Sequence, residues 1–130
     1  MKNVKDDIIY EYPVLQYYPI VFTSVKNNLR TGGVLKNTLD VYKKISIKIS
    51  TKNLNDQLKK ILAQKKPPAV NGKEIKIKYI SQVHSAPPVF AIFTNYPEII
   101  PISYRRYLLN QLRQRNDIIG ATIKLSFRKK

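Results

Sequence analysis

The chain has 130 residues, 43% of them hydrophobic, which suits one ordinary globular domain or a small domain with an appendage. It contains no cysteine, which excludes disulfide bridges and thiolate metal sites. Lysine and arginine number 24 against 8 acidic residues, so the formal net charge is +16. This exceeds the roughly 2 to 8 charges that solubility requires of a small domain. An AT-rich genome would account for some of the lysines, but a field of this strength favours a polyanionic partner, with nucleic acid the first choice.

The excess charge lies mainly in the second part of the sequence. Residues 1–50 hold 8 basic and 4 acidic residues, a net charge of +4, whereas residues 51–130 hold 16 and 4, a net charge of +12. No apolar run approaches the roughly 18 residues of a membrane span, and residues 1–11 lack the apolar core of a secretory signal. We expect the protein to act where it is made, in the cytoplasm or in the matrix or stroma of an organelle, without a membrane partner.

The first 49 residues predict one strand followed by one helix. Residues 19–23 are apolar and rich in β-branched side chains, which favours a buried strand. A polar loop follows, and residues 34–45 are predicted to form a helix because apolar side chains recur at helical spacing. These side chains are Leu35, Leu39 and Tyr42. Strand, loop and helix in this order form the closing unit of an α/β domain, here without the strands that would flank it.

The next segment predicts a helix and a half-buried strand. Ser50 and Thr51 offer a helix N-cap. The apolar stripe of the helix is formed by Leu54, Leu58, Ile61 and Leu62. Two prolines at 67 and 68 end the helix, and Asn71-Gly72 predicts a turn. Residues 73–83 then alternate, with Ile75, Ile77 and Tyr79 on the inward face and Lys76 and Lys78 on the outward face.

The last segment predicts two more strands with a helix between them. Residues 89–93 are uniformly apolar, which suits a central strand. A helix capped by Ser103 is predicted to bury Tyr104, Tyr107, Leu108 and Leu112 and to expose Arg106, Asn110 and Arg113. Residues 122–128 alternate again, with Ile123, Leu125 and Phe127 inward and Lys124 and Arg128 outward.

Together these elements predict an α+β fold. Residues 50–130 would form a two-layer α-β-β-α-β domain, in which helices cover one face of a three-stranded sheet, and a partial α/β segment would precede it. The uncovered face would carry Lys76, Lys78, Lys124 and Arg128, provided that the first and last strands are neighbours.

Five short motifs follow one another across residues 50–128. They are Thr51-Lys52-Asn53-Leu54-Asn55, Lys76-Ile77-Lys78-Tyr79-Ile80-Ser81-Gln82, Pro87-Pro88-Val89-Phe90, Ser103-Tyr104-Arg105-Arg106-Tyr107-Leu108-Leu109-Asn110 with Arg113, and Gly120-Ala121-Thr122-Ile123. In this order they resemble T-x-x-LN, K-x-x-Y-x-x-Q, PP-x-F, SY-x-RYL-x-N-x-x-R and GTPI of the C-terminal KH-like domain in the bacterial ribosome-assembly GTPase family Der, also called EngA.

The first part of the chain extends this resemblance. Residues 19–25 resemble the last strand and the "SA" guanine-edge motif of the second GTPase domain in that family, although Val25 replaces the alanine and the preceding domain core is absent. The resemblance implies that residues 1–49 are an incomplete remnant of a GTPase domain and that residues 50–130 are the KH-like domain. Ser24, Val25 and Lys26 would then be a nucleotide-binding remnant without function.

The residues needed for catalysis are missing. The four glycines, at 32, 33, 72 and 120, do not fit the phosphate-binding loop G-x-x-x-x-G-K-[ST], and no Asn-Lys-x-Asp is present to recognise guanine. His84 is the single histidine and has no nucleophile or orienting acid beside it in the sequence, so we interpret it as a solvated loop residue. The carboxylates are scattered. We expect no catalytic residue, metal or cofactor in this chain; the resemblance implies GTP for the full-length family.

Charge and resemblance together imply a non-catalytic RNA-associated module that acts in assembly of the large (50S) ribosomal subunit by electrostatic binding to ribosomal RNA. The candidate RNA-binding residues are Lys76, Lys78, Arg105, Arg106, Arg113, Lys124, Arg128, Lys129 and Lys130. No two glycines are three positions apart, so the GXXG loop with which KH domains clamp nucleotides is absent, and RNA contact is expected to depend on charge and shape. Tyr79, Tyr104 and Tyr107 either stack on bases or pack in the core.

A second hypothesis is a protein-docking piece that complements a separately encoded GTPase part or is a fixed component of the ribosome. The strand predicted at residues 20–23 has no parallel partner within the chain. An unpaired strand edge favours pairing with another chain. A residual nucleotide hydrolase is a third hypothesis, which the missing phosphate loop disfavours.

Overall fold

The computed structural model describes residues 2–22, 31–118 and 120–130. The helices are α1 (Lys2–Glu11), α2 (Thr31–Ile45), α3 (Thr51–Gln64) and α4 (Ile102–Asn116), with 3₁₀ turns at Pro13–Tyr17 and Pro97–Ile99. The strands are β1 (Ile77–Ser85), β2 (Pro88–Thr94) and β3 (Lys124–Lys129). The chain divides into two compact units. The first comprises the described residues up to 44 with 120 and 121, and the second comprises residues 45–118 and 122–130.

The regular elements described in the first unit are helical. The strand predicted at 19–23 is wrong for residues 19–22, which have no regular structure, and Thr23 lies outside the described residues. A strand requires a neighbour with which to exchange hydrogen bonds, and the described residues of this unit contain no such neighbour. The helix predicted at 34–45 is confirmed, although it begins three residues earlier, at Thr31.

Helix α3 opens the second unit and begins as its sequence predicts. The Ser50 hydroxyl accepts a hydrogen bond of 3.3 Å from the backbone N–H of Asn53, which confirms the N-cap. Leu54, Leu58 and Ile61 are buried along one stripe of the helix. The Asn71-Gly72 turn is confirmed too, because both residues have positive φ angles, of 51° and 73°, and the turn lies between paired Val70 and Lys73.

The three strands form one sheet in the order β1-β2-β3. Strand β1 is antiparallel to β2, whereas β2 is parallel to β3, and helix α4 forms the crossover between the parallel pair. The apolar segment around residues 89–93 is the central strand, as predicted, and Phe90, Ile92 and Thr94 on its helix-covered side are fully buried. The α-β-β-α-β order and the α+β class are therefore confirmed.

Helix α4 differs from its prediction at both ends. It begins at Ile102 with Pro101 as its N-cap residue, so Ser103 lies in the first turn and does not cap the helix. Arg113 was expected in solvent, but it is only 5% exposed. The chain reverses at Asp117, and the backbone N–H of buried Ile118 donates to the Arg113 carbonyl oxygen at 3.1 Å. The reversed chain thereby covers the last turn of α4, which includes Arg113. Helical periodicity alone does not predict this burial.

A β-bulge at Lys78 changes which face of the sheet Tyr79 occupies. Ile77 pairs with Thr94, but Tyr79 pairs with Phe93, so two steps along β1 match one step along β2. The extra residue reverses the alternation, because successive residues of a strand point to opposite faces. Tyr79 therefore lies on the face opposite to Ile77, and its predicted inward orientation is wrong.

Candidate nucleic-acid interface

The sheet has a second face, which we call the outer face, opposite to the buried positions of β2. The strand register assigns to it Tyr79, Ser81, His84, Val89, Ala91, Phe93, Lys124, Ser126 and Arg128. Val89 and Phe93 are half-buried, whereas the alternate residues of the same strand are completely buried. None of the nine residues is acidic, so the outer face has a positive charge.

Two aromatic rings lie side by side at one end of the outer face. The centroids of the Tyr79 and Phe93 rings are 5.2 Å apart, and the ring planes are tilted by 32°. Cross-strand aromatic pairs of this kind add to sheet stability. Both rings are partly exposed, so they also present an apolar surface to solvent.

Basic side chains surround this aromatic pair. The Lys130 ammonium lies 5.3 Å from the centroid of the Tyr79 ring. The Lys78 Nζ donates a 2.9 Å hydrogen bond to the backbone carbonyl oxygen of Lys130. Arg128 is in register with Phe93, and its Nε lies 3.4 Å from the Ser126 hydroxyl, which accepts a hydrogen bond from it. Lys78, Arg128 and Lys130 are therefore brought together at the same end of the sheet.

The other exposed candidates are more dispersed. Lys124 pairs with Val89 at the opposite end of the outer face, and Lys129 pairs with Thr94. Lys76 precedes β1 and lies 3.9 Å from the Glu74 carboxylate, as an exposed ion pair of little energetic value. Arg106 is exposed on α4. Because β1 and β3 flank β2 and are not neighbours, the four predicted cations do not form one continuous stripe.

Two of the candidate arginines are removed from solvent in part or almost completely. The Arg105 guanidinium donates to the carbonyl oxygens of Ile100, at 3.1 Å, and Pro97, at 2.9 Å. It also lies 4.8 Å from the centroid of the Phe127 ring. Arg113 is buried, as described above. Arg105 is half-buried and Arg113 is buried, which the sequence could not indicate because its charge pattern does not report burial.

A basic groove runs between α3 and the segment that leads into β1. Its volume is about 580 Å³. Its walls carry Lys59 and Lys66 from the helix side and Lys76 and Lys78 from the strand side, and its floor is aliphatic. Lys59 and Lys66 were not among the predicted cations; Lys59 is exposed on α3, and Lys66 lies just beyond the end of that helix.

Polar residues of the motifs stabilise the edge of β1 that has no neighbouring strand. The Asn55 Oδ1 accepts a hydrogen bond of 3.0 Å from the Ile80 N–H, and its Nδ2 donates one of 2.9 Å to the Ile80 carbonyl oxygen. In the same way, Gln82 accepts from the Ile49 N–H at 2.8 Å and donates to the Ile47 carbonyl oxygen at 3.0 Å. Edge-strand groups that would otherwise lack a partner are thereby satisfied, so these motif residues specify the fold.

Two tyrosines of α4 connect it to the end of α3. The Tyr104 hydroxyl donates to the Lys65 carbonyl oxygen at 2.7 Å, and the Tyr107 hydroxyl donates to the Ile61 carbonyl oxygen at 3.1 Å. These bonds supply partners for carbonyl groups at a helix terminus. Tyr104 is only 2% exposed, so it packs in the core. Burial, with a smaller contribution from neighbouring Tyr107, raises the pKa of Tyr104 to about 12.

This pKa predicts a loss of stability at high pH. An unfolded tyrosine titrates near about 10, so the folded protein holds the Tyr104 proton more tightly. The resulting stabilisation is complete below about pH 10 and is lost as the pH rises to about 12, by about 2–3 kcal/mol. Urea unfolding over this range should show the wild type losing stability relative to Tyr104→Phe, which cannot ionise there. A stability difference that stays constant with pH would contradict the assignment.

The other sequence predictions concern a nucleotide-binding remnant, His84, metal binding and membrane spans. The proposed nucleotide-binding remnant, Ser24, Val25 and Lys26, lies outside the described residues. His84 is exposed, as predicted, but it lies in strand β1 and not in a loop, and its Nδ1 donates to the Pro87 carbonyl oxygen at 3.0 Å. The described ranges contain no cluster of three potential metal ligands. No helix in the described part of the chain is long and apolar enough to cross a membrane.

Comparison with known proteins identifies the family. Residues 48–128 match the family described as "KH-domain-like of EngA bacterial GTPase enzymes, C-terminal". All 130 residues are 40% identical to part of the GTPase Der of Lactobacillus johnsonii and 40% identical to part of that of Fusobacterium nucleatum. The GTPase Der of Clostridium tetani is 39% identical over the same length.

The aligned segment is only part of those relatives. It covers 100% of this chain but 30% of each relative. The family match extends over α3, α4 and all but the last residue of the sheet, the same elements whose order and motifs have been described. The chain therefore belongs to the family of KH-domain-like, C-terminal domains of the EngA (Der) bacterial GTPases.

Proposed function

We propose that the chain is a non-catalytic, RNA-associated module of a Der/EngA-type GTPase. It acts in assembly of the large ribosomal subunit by electrostatic binding to ribosomal RNA, in the cytoplasm or an equivalent organellar compartment. The observation that carries this proposal is the exposed positive charge of the second unit, with Lys78, Arg128 and Lys130 gathered beside the outer face. Neutralising phosphates releases condensed counterions, which favours RNA as the partner.

Binding to structured RNA is expected to depend steeply on salt. Each lysine or arginine that neutralises a phosphate contributes a slope of about −0.9 to the plot of log affinity against log salt for a duplex. We expect Arg128→Gln to weaken binding and to reduce this slope by about 1. Filter binding at several salt concentrations measures both quantities. The control is Lys60→Gln, which removes one exposed charge from α3, outside the outer face. Weak binding that does not vary with salt would contradict the proposal.

The ribosomal part of the proposal has its own test. Sucrose-gradient sedimentation of a cell extract would show whether the chain travels with the large ribosomal subunit at low salt. Release at high salt would indicate an ionic attachment. A chain that stays at the top of the gradient at low salt would count against a ribosomal partner, whatever its affinity for purified RNA.

Docking to a separate GTPase part is the second candidate function. Helix α2 exposes a stripe of large apolar residues, with Leu35 65%, Leu39 53% and Tyr42 69% exposed. Contiguous exposed apolar surface commonly marks a protein interface. The chain spans only about a third of the length of its relatives, which supports a GTPase part as the covering partner. Affinity purification that recovers neither a GTPase nor ribosomes would argue against this function.

A further inference from the structure

The outer face of the sheet combines aromatic rings with cations. We propose that it is a binding site for unpaired nucleotides of RNA, whose bases stack on Tyr79 and Phe93. Lys78, Arg128 and Lys130 would contact the adjoining phosphates. This inference rests on the proposed function and adds to it a location and a class of RNA, since charge and shape alone would favour structured RNA.

The exposure of the rings is the first argument. Phe93 lies on the central strand, where its neighbours Ile92 and Thr94 are completely buried, yet it is partly exposed. Tyr79 reaches the same face only because of the bulge at Lys78. Single-stranded nucleic acids bind to such platforms because every base can stack on an aromatic ring.

The surroundings of the rings supply the second argument. Next to them, Ser81, Ala91 and Ser126 pair across all three strands. Ala91 is fully buried, whereas Ser81 and Ser126 on either side of it are half-buried. The hydroxyls of these two serines can bond to base edges or to a ribose 2′-hydroxyl. Lys130 already lies over the Tyr79 ring, which places an ammonium group near the phosphate of any base stacked there.

The charge pattern distinguishes RNA from a protein partner. The described cations around the rings are exposed, and the outer face contributes no carboxylate. A protein interface centred on this face would have to bury Lys78 and Lys130, whereas lysine is depleted from protein interfaces. The phosphate groups of RNA would instead neutralise the charges of these cations.

The test compares an unstructured oligonucleotide with a duplex. The full chain is titrated into a fluorescein-labelled oligouridylate of about ten nucleotides and into a perfectly paired RNA hairpin, with anisotropy as the readout. Tyr79→Leu keeps apolar volume but removes the ring, and we expect it to weaken oligouridylate binding about tenfold. Hairpin binding should change less than about twofold, because it depends on charge.

Two further variants provide controls. Tyr79→Phe keeps the ring and should bind oligouridylate within about twofold of the wild type. Tyr10→Leu removes a ring that is 90% exposed on α1 and should change neither affinity. Circular dichroism at the assay temperature establishes that each variant is folded, and Phe93→Leu provides an independent ring deletion with the same expected loss.

The outcomes separate this inference from the proposed function. The stacking site would be overturned, and the proposed function left intact, by the following result. The wild type binds the hairpin, and Tyr79→Leu and Phe93→Leu bind oligouridylate as tightly as the wild type does. Wild type that binds neither RNA would overturn both. If a GTPase part bound to the chain and both ring deletions weakened that complex but not oligouridylate binding, the outer face would be a protein contact, which also overturns the inference.

Discussion

Phe90→Ala is expected to lower the free energy of unfolding of the second unit by about 3–5 kcal/mol, the usual cost of removing a buried phenylalanine. Phe90 is completely buried on the central strand, where it faces the helices. The substitution removes apolar surface from the core and leaves a cavity that the rigid sheet cannot fill. Since small domains are stable by only about 5–15 kcal/mol, urea denaturation should show a much lower midpoint or no cooperative transition.

Phe93→Ala is the matched control for this prediction. It changes the same residue type on the same strand, but on the partly exposed outer face. We expect it to cost only about 1–2 kcal/mol, because less surface is removed from water and no closed cavity forms. Equal losses in the two variants would mean that the outer face is packed as tightly as the helix-covered face, and the proposed RNA site would lose its basis.

Asn55→Ala is expected to destabilise the second unit by about 2–4 kcal/mol, since a buried group left without a partner costs about 1–3 kcal/mol. The Asn55 amide forms two hydrogen bonds with the backbone of Ile80, as both donor and acceptor. Alanine would leave both backbone groups of this edge strand without their partners. Unfolding by denaturant measures the loss, and hydrogen exchange at the Ile80 amide would localise it.

The control for this prediction is a neighbouring asparagine. Asn53 lies in the first turn of the same helix, and its exposed side chain accepts a hydrogen bond from Gln57 at 3.2 Å. Asn53→Ala should change stability by less than about 0.5 kcal/mol. Asn55→Asp tests the donor separately, because a carboxylate can accept from the Ile80 N–H but cannot donate to the Ile80 carbonyl oxygen. Wild-type stability in Asn55→Asp would show that the donated bond is unimportant.

The motifs that indicate the family are mostly structural. Asn55 and Gln82 hold the edge of β1, and Tyr104, Tyr107 and Arg105 bind backbone carbonyl oxygens. A resemblance carried by such residues implies the fold directly, because in this chain their hydrogen bonds hold the strands and helices in place. It says less about which surface binds RNA, and the proposed site at Phe93 and Arg128 lies outside most of the motif positions.

Tyr79 is both a motif residue and a member of the proposed RNA site. It is the tyrosine of the K-x-x-Y-x-x-Q motif, and its ring lies on the outer face beside Phe93. The uniformly apolar segment at residues 89–93 indicated a central strand, and it gave no signal that Phe93 would be partly exposed. Only the cross-strand register places these two rings together.

Local patterns in the sequence were sufficient for most elements of the second unit, whereas in the first unit helix α1 was not predicted and the strand predicted at 19–23 was wrong for residues 19–22. The Ser50 cap, the apolar stripe of α3, the Asn71-Gly72 turn and the central strand depend on neighbouring residues or on one burial period, and all were predicted. The excess of positive charge, and with it the preference for a polyanion, is likewise a property of composition. The tertiary structure decided which cations lie together and which face carries each ring. The bulge at Lys78, and the lack of a pairing neighbour for residues 19–22 among the described residues, depend on other segments of the chain. The burial of Arg113 accompanies the chain reversal at Asp117, which helical periodicity does not encode.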